Sequence, residues 1–312
     1  LVNWDPVLMT AISDLEVVTE DTDGFIWTIK YPLVDTENSS RSIDTETVSV
    51  ATTRPETILG DVAVAVNPHD ERYRELVGRL VRVPIINRAV AIVADDSVDM
   101  DFGTGCVKIT PAHDFNDYEV GKRHSLESIN ILTKDGKIND NAPARFVGFD
   151  RFVAREKILK ELRDEGYLIS QKKHRLALKK GDRSGTVIEP MLTQQWFIDV
   201  NKKAPHDTPS AGKSFTEQGL EALSNGSLRF VPDMWKNTYR SWFADLQDWC
   251  ISRQLWWGHQ IPAWYKLNSK GDVIEEEKVY VASSKIEAKQ LAEKDGWYGE
   301  LLQETDVLDT WF

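Results

Sequence analysis

Apolar and polar residues alternate over several short stretches in the first part of the chain. The alternation at residues 25–31 and 46–53 is typical of half-buried β-strands. Residues 62–66 and 80–94 carry β-branched runs, which predict buried strands. Between these runs, an asparagine cap, a proline and a closing glycine predict a short helix over residues 67–78.

Further along, the patterns predict longer helices and fewer strands. Amphipathic spacing predicts helices over residues 152–165 and 284–295, and residues 129–132 are predicted as a strand. Residues 38–41 have the composition of a polar loop. Because the strands and helices show no regular βαβ alternation, the sequence predicts a mixed α+β fold of the wider α/β class, with a barrel-like domain.

The amino-acid composition restricts the classes of molecule that the chain can bind. The chain has 312 residues, 41% of them hydrophobic, which is enough for more than one folded unit. The chain contains 38 Lys and Arg residues and 50 Asp and Glu residues, which gives a formal net charge of -12 at pH 7. An acidic chain binds nucleic acid poorly without a local basic face, so any such contact must be confined to one region.

The cysteines and the chain ends predict the cellular setting. Cys106 and Cys250 lie far apart and match no metal-ligand spacing, which favours a reduced, cytoplasmic protein without a bound metal. No apolar run of about eighteen residues and no leader-like segment is present, so no membrane association is predicted. The chain begins at Leu1 and stops at Phe312 in mid-pattern, as expected for a piece of a longer protein.

Residues 103–119 concentrate polar groups that local geometry would bring together. In a strand, Lys108 and Thr110 share one face, and Pro111 ends that strand. Asp114 can cap the following helix, and Asp117 lies on the same helical face. His113 sits between strand and helix, so these groups predict a polar pocket. The alternative is that Asp114 is only a cap and Asp117 only a first-turn acid favoured by the helix dipole.

Two other stretches carry groups suited to an anionic ligand. The run Thr-Thr-Arg-Pro-Glu-Thr at residues 52–57 is either a set of ligand donors or the start of a capped helix. The basic run at residues 172–183 is either a phosphate-binding face or a solvated surface.

Three runs of sequence resemble the valyl-tRNA synthetases, and most closely their bacterial form. They are residues 51–57, residues 103–119, and the run Trp-Cys-Ile-Ser-Arg-Gln-Leu-Trp-Trp-Gly-His-Gln-Ile-Pro-Ala-Trp at residues 249–264. The double tryptophan before Gly-His-Gln-Ile-Pro is similar to the valine branch rather than to the isoleucine or leucine branches. The resemblance implies a connecting ribbon and catalytic-core flank at 1–45, an editing domain at 46–190, and a partial return to the class I catalytic core at 191–312.

The resemblance also implies a reaction. The editing domain of this family hydrolyses tRNA-Val that has been charged wrongly with threonine. The family's ATP signatures, His-Ile-Gly-His-like and Lys-Met-Ser-Lys-Ser-like, do not occur in this chain. We therefore expect editing without synthesis, with ATP and Mg needed only by the complete synthetase. The implied partners are the acceptor end of tRNA-Val and a threonyl ester, bound by a cytoplasmic monomer. The alternative is a module that binds the acceptor end without turnover.

Roles for individual residues follow from matching positions in the family. Lys108, Thr110 and Asp114 would recognise the substrate hydroxyl, and Asp117 would hold the α-ammonium group. His113 would be either a general base or a group that orients its neighbours. The residues that would bind the ester end, the ribose and the terminal adenosine are Thr52, Thr53, Arg54, Thr57 and Phe102. The tRNA backbone would meet Lys172, Lys173, Arg175 and Lys180. A partial valine pocket would comprise Trp257, Asp306, Val307 and Trp311.

Overall fold

The computed structural model describes residues 1–34, 46–205, 208–244, 246–274 and 278–312. Two compact units divide the chain, residues 1–193 and residues 194–312. The polar loop predicted at residues 38–41 lies outside the described residues. Within the described residues, no helix combines the length and the apolar character needed to cross a membrane.

In its described residues, the first unit combines short strands, one long pair of strands and two helices. Its elements are β1 (Val2–Asp5), β2 (Thr10–Ile12), β3 (Val17–Pro32), β4 (Thr47–Thr52), β5 (Ala63–Val66), β6 (Leu80–Arg82), β7 (Ala89–Ala94), β8 (Cys106–Ile109), α1 (Phe115–Arg123), α2 (Arg151–Asp164), β9 (Leu168–Gly181) and β10 (Glu189–Met191). Short 3-10 helices occur at Asp14–Glu16, Pro55–Gly60 and Arg74–Leu76.

A four-stranded sheet in the order β6-β7-β5-β8 forms the centre of this unit. Strand β5 pairs in parallel with β7 and antiparallel with β8, and all four of its residues are buried. Ala63 and Ala65 of β5 join Ile109 of β8 and Val120 of α1 in one apolar cluster. This cluster holds β8 and α1 together, and the polar residues of the candidate site lie at the junction between them.

A long antiparallel ribbon formed by β3 and β9 is the second main feature. Strand β3 pairs with β9 from Val17 to Ile29, and its last part also pairs with β4. A Cβ at Gly24 would lie 2.4 Å from Leu176 Cδ1, so a larger residue at this position would require the Leu176 side chain to shift. The first half of β3 is mostly exposed, whereas Trp27, Ile29 and Tyr31 are buried.

Helix α2 packs its apolar stripe against the first unit. The Asp150 carboxylate caps its first turn by accepting the Phe152 backbone N–H. Ala154, Ile158 and Leu162 are fully buried at the three-to-four-residue spacing of one helix face.

The second unit contains shorter elements. They are β11 (Phe197–Ile198), α3 (Phe215–Ser224), α4 (Trp235–Ala244), β12 (Trp249–Cys250), β13 (Ser252–Arg253), β14 (Ala263–Lys266), β15 (Tyr280–Val281), α5 (Lys285–Lys294), β16 (Leu301–Gln303) and β17 (Val307–Leu308). A three-stranded sheet, β15-β14-β16, packs against α5 around Trp264 and Tyr280.

The predicted mixed α+β fold is confirmed. The described strands form separate sheets of two to four strands, and none of these sheets closes into a barrel. Residues 1–34 supply strands that pair with β4, β9 and β10 of the following segment. The functional boundaries at residues 45/46 and 190/191 stay predictions.

Two predicted elements were wrong. Residues 67–78 form successive turns and one 3-10 turn, because the Asn67 and Asp70 side chains accept backbone N–H groups two residues ahead. Residues 129–132 make a single β-bridge, Leu132 with Ile138, because the Ile131 N–H donates to a side chain instead of to a strand.

Replacing Leu162 by Ala should destabilise the first unit by about 2–5 kcal/mol, because a fully buried side chain leaves a cavity. Urea unfolding followed by hydrogen exchange of peptides from residues 1–193 measures the effect. Glu156→Ala on the exposed face of the same helix is the matched control and should leave the midpoint almost unchanged. Equal midpoints for the two variants would contradict the packing described for α2.

Candidate functional site

A buried carboxylate, Asp61, lies at the centre of the candidate site. It follows the Pro55–Gly60 turn and is fully buried. Its Oδ1 atom lies 2.9 Å from Lys108 Nζ and accepts the Thr110 hydroxyl at 2.8 Å. Its Oδ2 atom accepts the Tyr31 hydroxyl at 2.6 Å. Four side chains from three separate parts of the chain therefore form one hydrogen-bonded group.

The charges of this group balance. Burial raises the pKa of Asp61, while the Lys108 ammonium and the hydrogen bond from Tyr31 act against that rise. Burial, and then the neighbouring Asp61 charge, raise the pKa of Tyr31 well above its usual value, so its hydroxyl stays a donor. Lys108 Nζ also contacts the Thr110 hydroxyl. An ammonium has three N–H donors, so one remains for another acceptor.

The predicted strand and helix place Asp114 and Asp117 beside this group. Asp114 caps α1, since its Oδ1 accepts the backbone N–H groups of Asn116 and Asp117 at 2.8 and 3.1 Å. Asp117 Oδ2 accepts the Thr110 backbone N–H at 2.8 Å. Burial, followed by the Asp114 charge, raises the pKa of Asp117 to about 7, against the opposing effect of Lys108. Asp114 therefore is a cap, and Asp117 does more than occupy a first turn.

His113 is buried and its ring is already engaged. The Ile131 backbone N–H donates to His113 Nε2 at 2.9 Å, which places the ring proton on Nδ1. Within the described residues, Nδ1 has no hydrogen-bond partner. Burial, followed by the Arg54 and Lys108 charges, lowers the pKa of His113 to about 3. The neutral ring has no free lone pair, so this geometry favours the orienting role over the general base.

The Arg54 guanidinium takes part in a network of ion pairs and hydrogen bonds. Its Nη1 donates to the His113 carbonyl oxygen at 2.7 Å, its Nε to Glu56 Oε1 at 3.3 Å, and its Nη2 contacts Glu189. The Thr57 hydroxyl donates to the Arg54 carbonyl oxygen at 3.0 Å. Arg54 therefore supports the turn that carries His113, and its contact with the ester end stays a prediction.

The two glutamates of this network are shared with α2. Arg155 donates to both Glu56 oxygens at 2.8 and 2.9 Å, and Arg151 Nε lies 2.7 Å from Glu189 Oε1. Both glutamates are buried, at 1% and 2% exposure, so their charges require these partners.

The remaining residues of the Thr-Thr-Arg-Pro-Glu-Thr run serve the turn as well. The Thr52 hydroxyl accepts the Arg54 backbone N–H at 3.0 Å, and both Thr52 and Thr57 are buried. Thr53 is half-buried. The hydroxyls of Thr52 and Thr57 therefore stabilise the turn, although its N-cap residue, Arg54, makes no side-chain capping bond. Ligand contacts of this run stay predictions.

The β3–β9 ribbon carries the predicted tRNA-binding residues. Arg175 lies 3.4 Å from Asp21, and Lys180 pairs with Glu20, so acids of β3 neutralise part of the basic run. Within the described residues, no ion pair involves the exposed Lys172 and Lys173. Nearby, the half-exposed Phe102 ring lies edge-on to His174, with 6.0 Å between ring centroids.

The second unit holds the four residues of the predicted valine pocket. Asp306 accepts a hydrogen bond from Gln254 Nε2 at 2.6 Å. Val307 is buried and packs against Gly258, where a Cβ would lie 2.9 Å from Val307 Cβ. Trp257 and Trp311 are 77% and 73% exposed, so the structure does not bring the two indoles into a closed pocket with Val307.

Comparison with known proteins identifies the family. A family model described as tRNA synthetases class I (I, L, M and V) matches residues 1–312. The chain belongs to the class I tRNA synthetases. It is 53% identical over its whole length to a valine--tRNA ligase of Dechloromonas aromatica (strain RCB) and 50% identical to one of Legionella pneumophila (strain Paris), covering 31% of each. A valine--tRNA ligase of Neisseria meningitidis serogroup B (strain ATCC BAA-335 / MC58) is 49% identical, with 33% of its length covered.

The resemblance to valyl-tRNA synthetases is thus confirmed. The chain spans about a third of the length of the curated relatives it matches. Among the described residues of this class I synthetase chain, no group of three or more His, Cys, Asp or Glu side chains is placed to hold a metal ion.

Sequence reasoning missed several residues of the site. Asp61 and Tyr31 complete the Lys108 group, and Glu56, Glu189, Arg151 and Arg155 complete the network around Arg54. One local signal for Asp61 was available, because an aspartate between apolar residues, Leu59 and Val62, needs a buried partner.

We predict that the Asp117 carboxyl carbon titrates near pH 7 in carbon NMR of the folded protein. Asp95 is the internal reference, since hydrogen bonds from Arg123 lower the pKa of that carboxyl well below its usual range. Titration of Asp117 near its ordinary value, about pH 4, would contradict the placement of this side chain.

The same shift makes the fold less stable as the pH rises. Because folding raises the Asp117 pKa, the stabilising contribution is complete below the ordinary value and is lost as the pH passes about 7. Asp117→Asn should reduce the difference in unfolding midpoint between about pH 5 and about pH 8. The exposed Asp140→Asn should leave that difference as it is in the parent chain.

Proposed function

We propose that this class I synthetase chain hydrolyses the threonyl ester of tRNA-Val. The observation that carries the proposal is the Lys108 ammonium, which buried Asp61 holds at 2.9 Å beside the helix start that bears Asp114 and Asp117. The valine--tRNA ligases to which the chain is about half identical support tRNA-Val as the substrate.

Hydroxyl recognition needs one donor and one acceptor. Lys108 has a third N–H beyond those used by Asp61 and Thr110, and its side chain keeps 7% exposure for access. The half-buried Asp114 carboxylate supplies acceptors. A valyl methyl group in the same place would leave buried polar groups unpaired, at a cost of about 1–3 kcal/mol each. A hydrophobic synthetic pocket cannot make this distinction, because valine and threonine are nearly isosteric.

In this proposal, Thr110 does not contact the substrate. It is only 1% exposed, and its hydroxyl and backbone N–H are both committed, to Asp61 and Asp117. We assign it to holding Lys108 and Asp117 in place. His113 likewise orients the turn through its bond to Ile131.

Asp117 holds the α-ammonium group of the aminoacyl ester. Its carboxylate becomes charged as the pH rises through about 7, and a cation nearby favours the charged form further. With the ester fixed, a positioned water can complete the hydrolysis without a covalent intermediate, since proximity and oriented dipoles supply most of the acceleration.

The acceptor end of the tRNA would lie along the β3–β9 ribbon. Lys172 and Lys173 offer exposed cations, and Phe102 offers an exposed ring for the terminal adenosine. For the complete synthetase, we propose valine attachment with ATP and Mg, in a cytoplasmic monomer, with Asp306 and Val307 in the valine pocket.

The first test is deacylation of threonyl-tRNA-Val by the 312-residue chain and by Asp117→Asn. We expect ester loss well above a buffer blank for the parent chain, and roughly a 10- to 100-fold lower rate for the variant, because an ionic hydrogen bond is lost. Asp140→Asn is the matched control and should retain the parent rate.

The same experiment separates the alternative of a binding module. Binding of threonyl-tRNA-Val by the parent chain without ester loss would favour a module that binds the acceptor end. Full activity in Asp117→Asn would remove the ammonium-anchoring role from that residue.

The second test concerns the ribbon. The double variant Lys172→Ala/Lys173→Ala should weaken tRNA binding and make the slope of log affinity against log salt less steep by about 2, as about one counterion is released per phosphate contact. The pair Lys270→Ala/Lys294→Ala, exposed residues in the second unit, makes the same change in net charge. Equal slopes for both double variants would show that the basic run is only a solvated surface.

A further inference from the structure

Tyr31 is the buried member of the Asp61 group that the reaction does not explain. It lies in β3 with 0% exposure, and its hydroxyl donates to Asp61 Oδ2 at 2.6 Å. A side chain with no exposed surface cannot touch a substrate. Any effect of its hydroxyl on the reaction must therefore pass through Asp61.

The hydrogen bonds of Asp61 are divided between its two oxygens. Oδ1 accepts hydrogen bonds from Lys108 and Thr110, and Oδ2 accepts one from Tyr31. The Arg88 side chain donates to the Asp61 backbone carbonyl oxygen at 2.8 Å and fixes the main chain at this point. With the backbone fixed and Oδ2 occupied, the carboxylate cannot rotate to exchange its oxygens without losing a bond.

We propose that Tyr31 is a positioning residue for discrimination between threonyl and valyl esters, acting through Asp61 on the direction of the Lys108 ammonium. This inference rests on the proposed hydrolysis of threonyl-tRNA-Val. By occupying Oδ2, Tyr31 restricts Lys108 and Thr110 to Oδ1, and so directs the third ammonium N–H away from Asp61.

Removing the Tyr31 hydroxyl leaves Oδ2 as a buried acceptor without a partner. The carboxylate then either rotates, which draws Lys108 with it, or takes a proton, which removes the charge that holds the ammonium. In both cases the donor that meets the substrate hydroxyl is displaced. A valyl ester has no hydroxyl at this position, so its hydrolysis and binding do not depend on that donor.

The test compares Tyr31→Phe with Tyr265→Phe. Tyr265 also donates to a carboxylate at 2.6 Å, that of Glu304, but lies in the second unit. We would measure kcat/KM for threonyl- and valyl-tRNA-Val, and Kd for non-hydrolysable amides of threonyl- and valyl-adenosine. Tyr31→Phe should lower the threonyl-to-valyl ratio about 10-fold in both measurements, the usual effect of one lost hydrogen bond to a charged group. Tyr265→Phe should leave both ratios unchanged.

An equal loss for both esters, with an unchanged ratio, would show that Tyr31 only stabilises the fold and would overturn the proposal. Failure of the proposed function appears in the parent chain instead, as no ester loss above the blank. In that case, the Kd values of the two amides still test the inference. The inference is supported if the parent chain prefers the threonyl amide and Tyr31→Phe reduces that preference. Equal affinity of the parent chain for both amides would overturn it.

Discussion

A carboxylate buried without solvent must be compensated, and the compensation of Asp61 organises the candidate site. An isolated charge at 0% exposure would be very unfavourable, so the fold brings an ammonium and two hydroxyl donors to it. These partners come from β3, from β8 and from the residue after β8. The same contacts that neutralise one charge therefore fix the distance between strand β8 and the Pro55–Gly60 turn.

A second network of charged side chains contacts the start of the Pro55–Gly60 turn. Arg54 contacts the carbonyl oxygen of His113, and Glu56 and Glu189 connect Arg54 to α2. The two networks contact the segment from Lys108 to Asp117 at Lys108, Thr110 and His113. Geometry of this kind suits a site that must distinguish two side chains of nearly equal size, since selectivity requires groups that cannot move to satisfy the wrong ligand.

Sequence reasoning located the site where its geometry is local. Strand alternation placed Lys108 beside Thr110, and the cap pattern placed Asp114 at the start of α1, as the structure shows. It could not pair Tyr31 with Asp61, because their contact depends on how segments distant in the chain pack. Arg54 illustrates a different limit: a pattern of polar residues cannot tell a ligand donor from a member of a buried ion network. The helix expected at 67–78 failed because side chains of Asn67 and Asp70 competed for the backbone.

Burial raises the pKa of Asp117 and lowers that of His113. Neighbouring charges add to both shifts, Asp114 for the carboxyl and Arg54 with Lys108 for the imidazole. Burial disfavours the charged form of both groups, but it also strengthens each interaction with a charged ligand. In the proposed reaction, the ammonium group of an aminoacyl ester would favour the charged form of Asp117 on binding. A ligand without that cation would meet a carboxyl that is only partly ionised at neutral pH, since its pKa is about 7. The burial that raises the pKa of this carboxyl therefore makes its charge depend on the substrate class that the site is proposed to accept.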